Sequence, residues 1–272
     1  MNTRRSVTSH RISIAIAVLL FLDGPRLLMA EPTRAAAAAF NAYCTSVEAR
    51  LAQQHRSQGT FLVLTENPRE ETSRLQRGEL IVERLAPPED AALSGAMLHH
   101  WRGTAFVHGA TPADFERLMR DFNAYPQHFA PQVLAAKTLS HNGDEMQAWM
   151  RVRQRHVITV VMDATYDITY GHLDGSHGYS ISRSTDVEEM EATGGGGEQA
   201  LGPSEEHGFL WRLNTYWSYE ERDGGLYLQV EAVSLTRSIP RGLGWAIGPY
   251  VESVPRQSLE FTLRSACDAL RR

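Results

Sequence analysis

The C-terminal segment 211–270 constrains the fold of this chain more than any other part of the sequence. Two runs typical of β-strands meet at Asp223-Gly224-Gly225, which predicts a tight hairpin turn. The second run continues through Arg237-Ser238-Ile239-Pro240 into a segment with the periodicity of a long helix. A long hairpin followed by a long helix is an arrangement that can enclose a cavity.

The N-terminus has the composition of an export signal. Arg4, Arg5 and Arg11 precede an apolar run over 12–22, which is too short to cross a bilayer comfortably. Leu28-Met29-Ala30 then offers a small residue at a cleavage point. Residues 1–30 are therefore predicted to be a signal peptide, with an uncleaved anchor as the alternative, and the protein is expected to be periplasmic or secreted.

The charge of the chain argues against nucleic acid as a partner. The net charge is −5 over 272 residues, and this figure includes the basic leader, so the mature part is more acidic still. The sequence also contains no HExxH, GxSxG or CxxC motif. Neither a metal, nor a cofactor, nor a catalytic residue is predicted.

The chain has two cysteines, Cys44 and Cys267, each on a segment with helical periodicity. In an oxidising compartment, an even pair is compatible with a disulfide. Such a bond would join the two ends of the chain and would stabilise it by about 3 to 5 kcal/mol in the chain-entropy model. The alternative is two small buried thiols.

The rest of the chain divides into a helical extension and one larger domain. We predict the extension over 31–77, with a helix from Pro32 to about Gln58. Thr111-Pro112-Ala113-Asp114 predicts a second helix start, because threonine caps well and proline fits the first helical turn. From there to Glu191 the apolar period is two, as in consecutive antiparallel strands, and the glycine-rich segment 189–207 predicts a flexible loop.

This order of elements resembles the START-like, or SRPBCC, superfamily, which includes polyketide cyclases and lipid-transfer proteins. The resemblance rests on the strand and helix start at 103–115, on Phe122-Asn123-Ala124-Tyr125-Pro126, and on the closing helix 245–270. It covers 78–272. It implies an α+β helix-grip fold, in which a curved antiparallel sheet wraps around the last helix and leaves an elongated apolar cavity.

The two faces of the 211–237 hairpin differ in polarity. One face collects Arg212, Asn214, Tyr216, Ser218, Gln229, Glu231, Leu235 and Arg237. The other collects Trp211, Leu213, Trp217, Leu228 and Val230. Apolarity favours the tryptophan face as the inward one, with the polar face solvated. In the alternative, a bulge reverses the faces and Glu231 and Arg237 orient a ligand carboxylate or hydroxyl.

Other residues could also contact a ligand. Arg151 belongs to a row of alternating arginines on the strand 145–155, which indicates either a solvated edge or a cavity wall that binds an acid. Trp245 follows a Pro/Gly corner that reads either as a lid or membrane-contact loop or as a rigid corner. The candidate ligand-binding residues are Tyr125, Phe129, Trp149, Arg151, Asn214, Tyr216, Glu231, Arg237 and Trp245.

Three functions fit these features. The first is an exported carrier of a hydrophobic small molecule, such as a lipid, an isoprenoid or an aromatic compound. The second is a cyclase or aromatase in which a cavity Arg, Tyr or Glu promotes ring closure. The third is a ligandless interaction module of the envelope. The weak catalytic pattern and the export signal favour the carrier.

Overall fold

The computed structural model describes residues 31–64, 67–85, 93, 95–155, 159–192, 198–202, 205–238 and 244–271. For 192 and for 244–252 it describes the backbone alone. The predicted signal peptide 1–30, the four-glycine tract 194–197 and the corner 239–243 lie outside the described residues.

The described strands form one antiparallel sheet. They are β1 (Ile81–Arg84), β2 (Ala96–His108), β3 (Val133–Asn142), β4 (Glu145–Arg155), β5 (Thr159–His172), β6 (His177–Ala192), β7 (Glu198–Ala200), β8 (Arg212–Arg222) and β9 (Gly225–Arg237). Their order is β1-β2-β9-β8-β6-β5-β4-β3, and β7 pairs with β6. Because β2 joins β9, the first and last long strands of the domain are neighbours and the long hairpin lies near the centre of the sheet.

The helices lie before, between and after the strands. They are α1 (Arg34–Gln54), α2 (Pro68–Gln76), α3 (Pro112–Arg120), α4 (Tyr125–His128) and α5 (Gly244–Leu270), with short 3₁₀ helices at Gln58–Thr60 and Phe122–Ala124. The predicted cap of α3 is confirmed: Thr111 Oγ1 accepts from the Asp114 N–H at 3.3 Å, and the Asp114 carboxylate accepts from the Thr111 N–H at 3.2 Å. No described helix is both long enough and apolar enough to cross a membrane.

The sheet carries helices on both faces, which we call the inner face and the outer face. α5 packs on the inner face, where Leu259 and Leu263 join a core that includes Trp217 and Leu228. α1 packs on the outer face. Its buried residues are Phe40, Cys44, Val47 and Leu51, at the spacing of one helical stripe. The predicted α+β helix-grip fold with an additional N-terminal helix is thus confirmed.

The closing helix approaches β2 most closely at Gly103. A Cβ atom at this position would lie 3.1 Å from Leu263 Cδ2 and 3.4 Å from Leu259 Cδ2. The absence of a side chain therefore lets α5 sit directly on the strand. A larger residue there would push the helix away from the sheet.

The predicted hairpin turn is confirmed, and so is most of its face assignment. Asp223 and Gly224 have φ of 56° and 74°, as expected for a two-residue hairpin turn. Leu213, Trp217, Leu228 and Val230 have the inward parity that was expected of them. Trp211 is an exception, since it belongs to the outer-face core with α1.

The expectation that the polar face of the hairpin is solvated is wrong. Gln229, Glu231 and Ser218 are each at most 2 % exposed, because α1 and the segment 55–64 cover this face. A single hairpin cannot reveal this, since the cover comes from a segment more than a hundred and fifty residues away in the sequence.

The possible disulfide is not formed. Cys44 is buried in the outer-face core under α1, and Cys267 is buried in the inner-face core under α5. The sheet lies between the two thiols, so the alternative of two small buried thiols is the correct one. Burial raises the pKa of each thiol to about 11, which keeps both protonated and unreactive.

We expect two free thiols in the mature protein. A thiol-reactive chromophore added to the unfolded, non-reduced chain should report both cysteines, and the folded chain should react slowly because both thiols are buried and protonated. Absence of reactive thiols in the unfolded, non-reduced protein would contradict this arrangement of the two helices.

We expect Gly103→Val to lower the free energy of unfolding by about 1 to 3 kcal/mol, because the new side chain overlaps Leu259 and Leu263. The measurement is urea unfolding followed by tryptophan fluorescence. Gly175→Ala is the matched control, since a Cβ there meets nothing within 4 Å. Equal stability of both variants would show that α5 does not rest on β2 at this point.

Candidate functional site

The inner face of the sheet has a closed end and an open end. At the closed end the inward side chains are buried and form a continuous core with α3, α4 and the last turns of α5. These side chains include Ala105, Val107, Met146, Ala148, Tyr166, Ile168, Trp217, Tyr219, Leu226 and Leu228. This end is a packed core and has no group left to contact a ligand.

At the open end the inward side chains are only half-buried. They are Met97, Trp101, Met150, Val152, Ser182, Ser184, Leu213, Thr215 and Ala232. They run across five strands, β2, β9, β8, β6 and β4. We call this surface the inner groove, and it is the candidate functional site.

The groove exists because α5 does not cover the sheet evenly. Among the described residues, the helix packs chiefly on β1, β2, β9, α3 and α4. Toward β4 the link is a polar one, in which Gln154 Nε2 donates to Ser258 Oγ at 2.6 Å. The inward side chains of β4, β5 and β6 thus have little cover from the described part of the helix.

The tyrosines beneath the closed end hold the fold together. The hydroxyls of Tyr125 and Tyr170 donate to the Met119 carbonyl at 3.2 and 2.8 Å, and that of Tyr219 donates to Glu116 at 2.7 Å. Burial raises the pKa of Tyr125 well above its ordinary value, so it stays neutral. Tyr125 and Phe129, both predicted to bind ligand, are buried in the core under the closed end instead.

Glu189 fixes the loop that leads into β8 at the rim of the groove. Its carboxylate accepts from the backbone N–H groups of His207 and Phe209 at 2.9 and 2.8 Å and from His207 Nδ1 at 3.0 Å. The bond to Glu189 raises the pKa of His207, and burial raises the pKa of Glu206 to about 7. The loop presents Phe209, which is 36 % exposed, at the surface.

The predicted residues Asn214, Tyr216 and Glu231 lie on the outer face and do not line the groove. Glu231 pairs with Tyr216 across the hairpin, as predicted, but both are covered by α1. Tyr216 donates to Glu48 at 3.2 Å, and Asn214 donates to the Tyr216 hydroxyl at 3.3 Å. As ligand contacts within the groove, these three predictions are wrong, because the strand alternation without a bulge turns them away from it.

Glu231 is the centre of a buried polar cluster that joins α1 to the sheet. It accepts from Arg50 of α1 and from His100 Nε2 at 2.9 Å, and the Tyr43 hydroxyl donates to His100 Nδ1 at 2.8 Å. Burial acts to raise the pKa of Glu231, but the His100 hydrogen bond and the Arg50 charge outweigh burial and hold this pKa below its ordinary value. The carboxylate therefore stays ionised and bridges the two layers.

Trp149 and Arg151 also point away from the groove, because they have the outward parity of β4. Arg151 makes a two-pronged ion pair with Asp163 at 2.6 and 2.8 Å and a third bond to Glu198 at 2.9 Å. Arg151 therefore lines no cavity wall, and it does not lie on a solvated edge either, because β3 is the edge strand and the Arg151 side chain is half-buried in ion pairs. Arg237 ends β9 with outward parity, and the side chain of Trp245 lies outside the described residues.

Comparisons with known proteins return similar folds and no similar sequence. No family model matches the chain, and no curated protein matches it. A STAR-related lipid transfer protein from Xanthomonas axonopodis is 19 % identical, with a TM-score of 0.43, and the match covers 70 % of this chain and 99 % of that one. The Zhui aromatase/cyclase from Streptomyces sp. R1128 is 14 % identical, with a TM-score of 0.41, over 65 % of this chain and 95 % of that one.

Human STARD10 is 5 % identical, with a TM-score of 0.41, over 75 % of this chain and 80 % of that one. The strand order and the closing helix described above are those of a helix-grip fold. This is the architecture that the resemblance in the sequence implied.

The sequence analysis assigned no ligand-binding or structural role to three residues that are important in the structure, namely Trp101, His55 and Glu189. His55 stacks between Phe61 and Tyr179, with ring centroids 4.6 and 4.5 Å away, and its Nε2 lies 2.8 Å from Ser218 Oγ. Nothing in the sequence around position 55 signals this, since all three partners are distant or belong to other elements.

We expect the protein to lose stability on mild acidification because of His55. Burial lowers the pKa of His55 from 6.5 to about 4, so the folded state disfavours the proton. Neutral His55 makes its full contribution to the free energy of unfolding above pH 6.5. This contribution, on the order of 3 kcal/mol, is lost as the pH falls toward 4. Urea unfolding at a series of pH values measures this slope.

His55→Gln should flatten that slope, while His141→Gln, at an exposed position, should leave it unchanged. The comparison is between slopes, so a general loss of stability in His55→Gln does not affect it. Wild type and His55→Gln with the same slope between pH 6.5 and 4 would show that His55 is not held neutral.

Proposed function

We propose that the protein is an exported carrier that holds a hydrophobic small molecule, of the lipid, isoprenoid or aromatic class, in the inner groove. The observation that carries this proposal is the run of half-buried apolar side chains along the inner groove, among them Met150, Val152, Leu213 and Trp101. Contact between such an apolar surface and water is unfavourable in free energy. An apolar ligand that displaces this water would remove the unfavourable contact.

The positions and partners of the charged and hydroxyl groups also support a carrier. Glu231 and Arg151, which a cyclase-type site would use in the cavity, are on the outer face and already paired. The tyrosine hydroxyls at the closed end donate to Met119 and Glu116. Binding by shape and apolar contact requires none of these groups, whereas ring closure requires a group that polarises a carbonyl.

The export and the membrane contact are part of the same proposal. The sequence 1–30 supports secretion to the periplasm or beyond. Phe209 and Leu210 are apolar residues on the loop at the rim of the groove, and Phe209 is among the few exposed large apolar side chains of the described chain. A transient contact of this rim with a membrane would give a lipid a short path into the groove.

The first test is native mass spectrometry of the protein taken from its own periplasm, followed by organic extraction. We expect a stoichiometric lipid or aromatic compound, and a chain mass that lacks residues 1–30. The second test is binding of the uncharged dye Nile red, which fluoresces in apolar surroundings. Val152→Phe should fill the groove and weaken dye binding on the order of tenfold.

Arg153→Phe is the matched control, because the neighbouring residue of the same strand points to the opposite face. Dye affinity should be unchanged in this variant. A protein that carries no compound and binds neither the dye nor a panel of lipids and aromatics would overturn the carrier and favour a ligandless module.

A further inference from the structure

We propose that the inner groove binds an amphiphile with an uncharged oxygen-containing head, and that this head lies against Trp101, His99 and Thr236. This inference rests on the proposed function, because it specifies which hydrophobic molecules the same groove accepts. It places the head at the end of the groove where β2 begins and β9 ends.

The three residues share one face of two paired strands. Trp101, His99 and Thr236 have the inward parity of β2 and β9, opposite Ala232, Ser234 and Met97 respectively. His99 Nε2 lies 3.2 Å from Thr236 Oγ1, and both side chains are buried. An imidazole, an indole and a hydroxyl thus lie together at one end of the groove.

Trp101 is the residue that indicates a ligand. Its indole Nε1 is buried and has no hydrogen-bond partner among the described residues. A buried N–H without a partner has lost its hydrogen bond to water with no replacement, and indole nitrogen can only donate. An oxygen acceptor on a bound molecule would remove this cost, whereas a plain hydrocarbon would leave it.

The hydroxyl groups of neighbouring strands extend this polar patch. Ser182, Ser184 and Thr215 have inward parity on β6 and β8, and all three are half-buried. The opposite wall, formed by Met150 and Val152 of β4, is apolar. The groove is therefore polar on one side and apolar on the other, which matches a molecule with a polar head and a hydrocarbon body.

The charges on the strands of the groove favour an uncharged head over an ionised acid. The described inward positions of β2, β4, β5, β6, β8 and β9 carry no Lys or Arg. Glu189, at the rim, is the buried inward acid and would repel an anion. Arg84 lies opposite Trp101 on the edge strand β1, but its side chain is exposed to solvent.

A buried carboxylate without a cation would lose its hydration with no compensation, whereas an alcohol, ester or ketone loses much less. The preference for a neutral head therefore follows from which side chains face inward. It does not depend on the length or shape of the hydrocarbon part.

The test compares three probes with the same hydrocarbon chain, namely oleyl alcohol, oleic acid and oleylamine, by displacement of Nile red. In a buffer of about pH 8 the acid is ionised and the amine is protonated. We expect the alcohol to displace the dye at a concentration at least about tenfold below that of either charged probe.

Two variants locate the head. Trp101→Phe removes the N–H, and Thr236→Val removes the hydroxyl at nearly constant volume. Each should weaken the binding of oleyl alcohol by about fivefold more than it weakens the binding of the headless hydrocarbon octadecene. Trp149→Phe and Thr165→Val, at outward positions of β4 and β5, are the matched controls and should change nothing.

The possible failures are distinct. If none of the four probes displaces the dye, or the dye itself does not bind, the carrier proposal fails. If oleate binds as tightly as the alcohol and loses affinity in Arg84→Gln, the carrier proposal stands and Arg84 holds an acid, which overturns the neutral head. If oleylamine binds most tightly, the Glu189 carboxylate attracts a cationic head, and the inference of a neutral head is overturned. If the protein prefers the alcohol but neither variant weakens the binding of the alcohol, the head does not lie against Trp101 and Thr236, and the inferred position of the head is overturned.

Discussion

The structure depends on a buried carboxylate at the centre of a strand that is covered on both faces. Glu231 lies in β9, which contacts the closing helix on one face and α1 on the other. An isolated charge in such a position would cost several kcal/mol. Arg50 from α1 and His100 from β2 compensate it, so that the N-terminal helix is held in one register on the sheet.

This cluster makes the N-terminal segment part of the domain. α1 supplies apolar residues to the outer core, and the segment after it supplies His55, Phe61 and the backbone of Val63, which pairs with Gln229 at 2.8 and 3.2 Å. The outer face of β2, β8 and β9 is thus filled, and the groove on the inner face keeps half-buried apolar groups. The polar outer layer and the apolar inner groove are therefore two consequences of the same strand alternation.

Much of the architecture could be predicted from the sequence because it is encoded locally. Thr111 and Asp114 cap α3, Asp223-Gly224 closes the β8–β9 hairpin, and Phe40, Cys44, Val47 and Leu51 mark the buried stripe of α1. Period-two runs gave the antiparallel strands. The site could not be predicted equally well, since six of the nine proposed contacts, Trp149, Arg151, Asn214, Tyr216, Glu231 and Arg237, have outward parity. The sequence analysis interpreted polar residues on strands as ligand contacts, whereas in the structure Arg151, Tyr216 and Glu231 bind side chains of other elements.

The sequence by itself determined the order of helices and strands, the turn at Asp223-Gly224 and the inward direction of Trp217, Leu228 and Val230. These depend on backbone preference and on the alternation of polar and apolar side chains, which short segments carry. Only the tertiary structure decided what covers the polar face, because Arg50 and Glu231 are far apart in sequence and meet through the packing of α1. It also decided that Cys44 and Cys267 stay apart, since the sheet lies between the two helices that carry them.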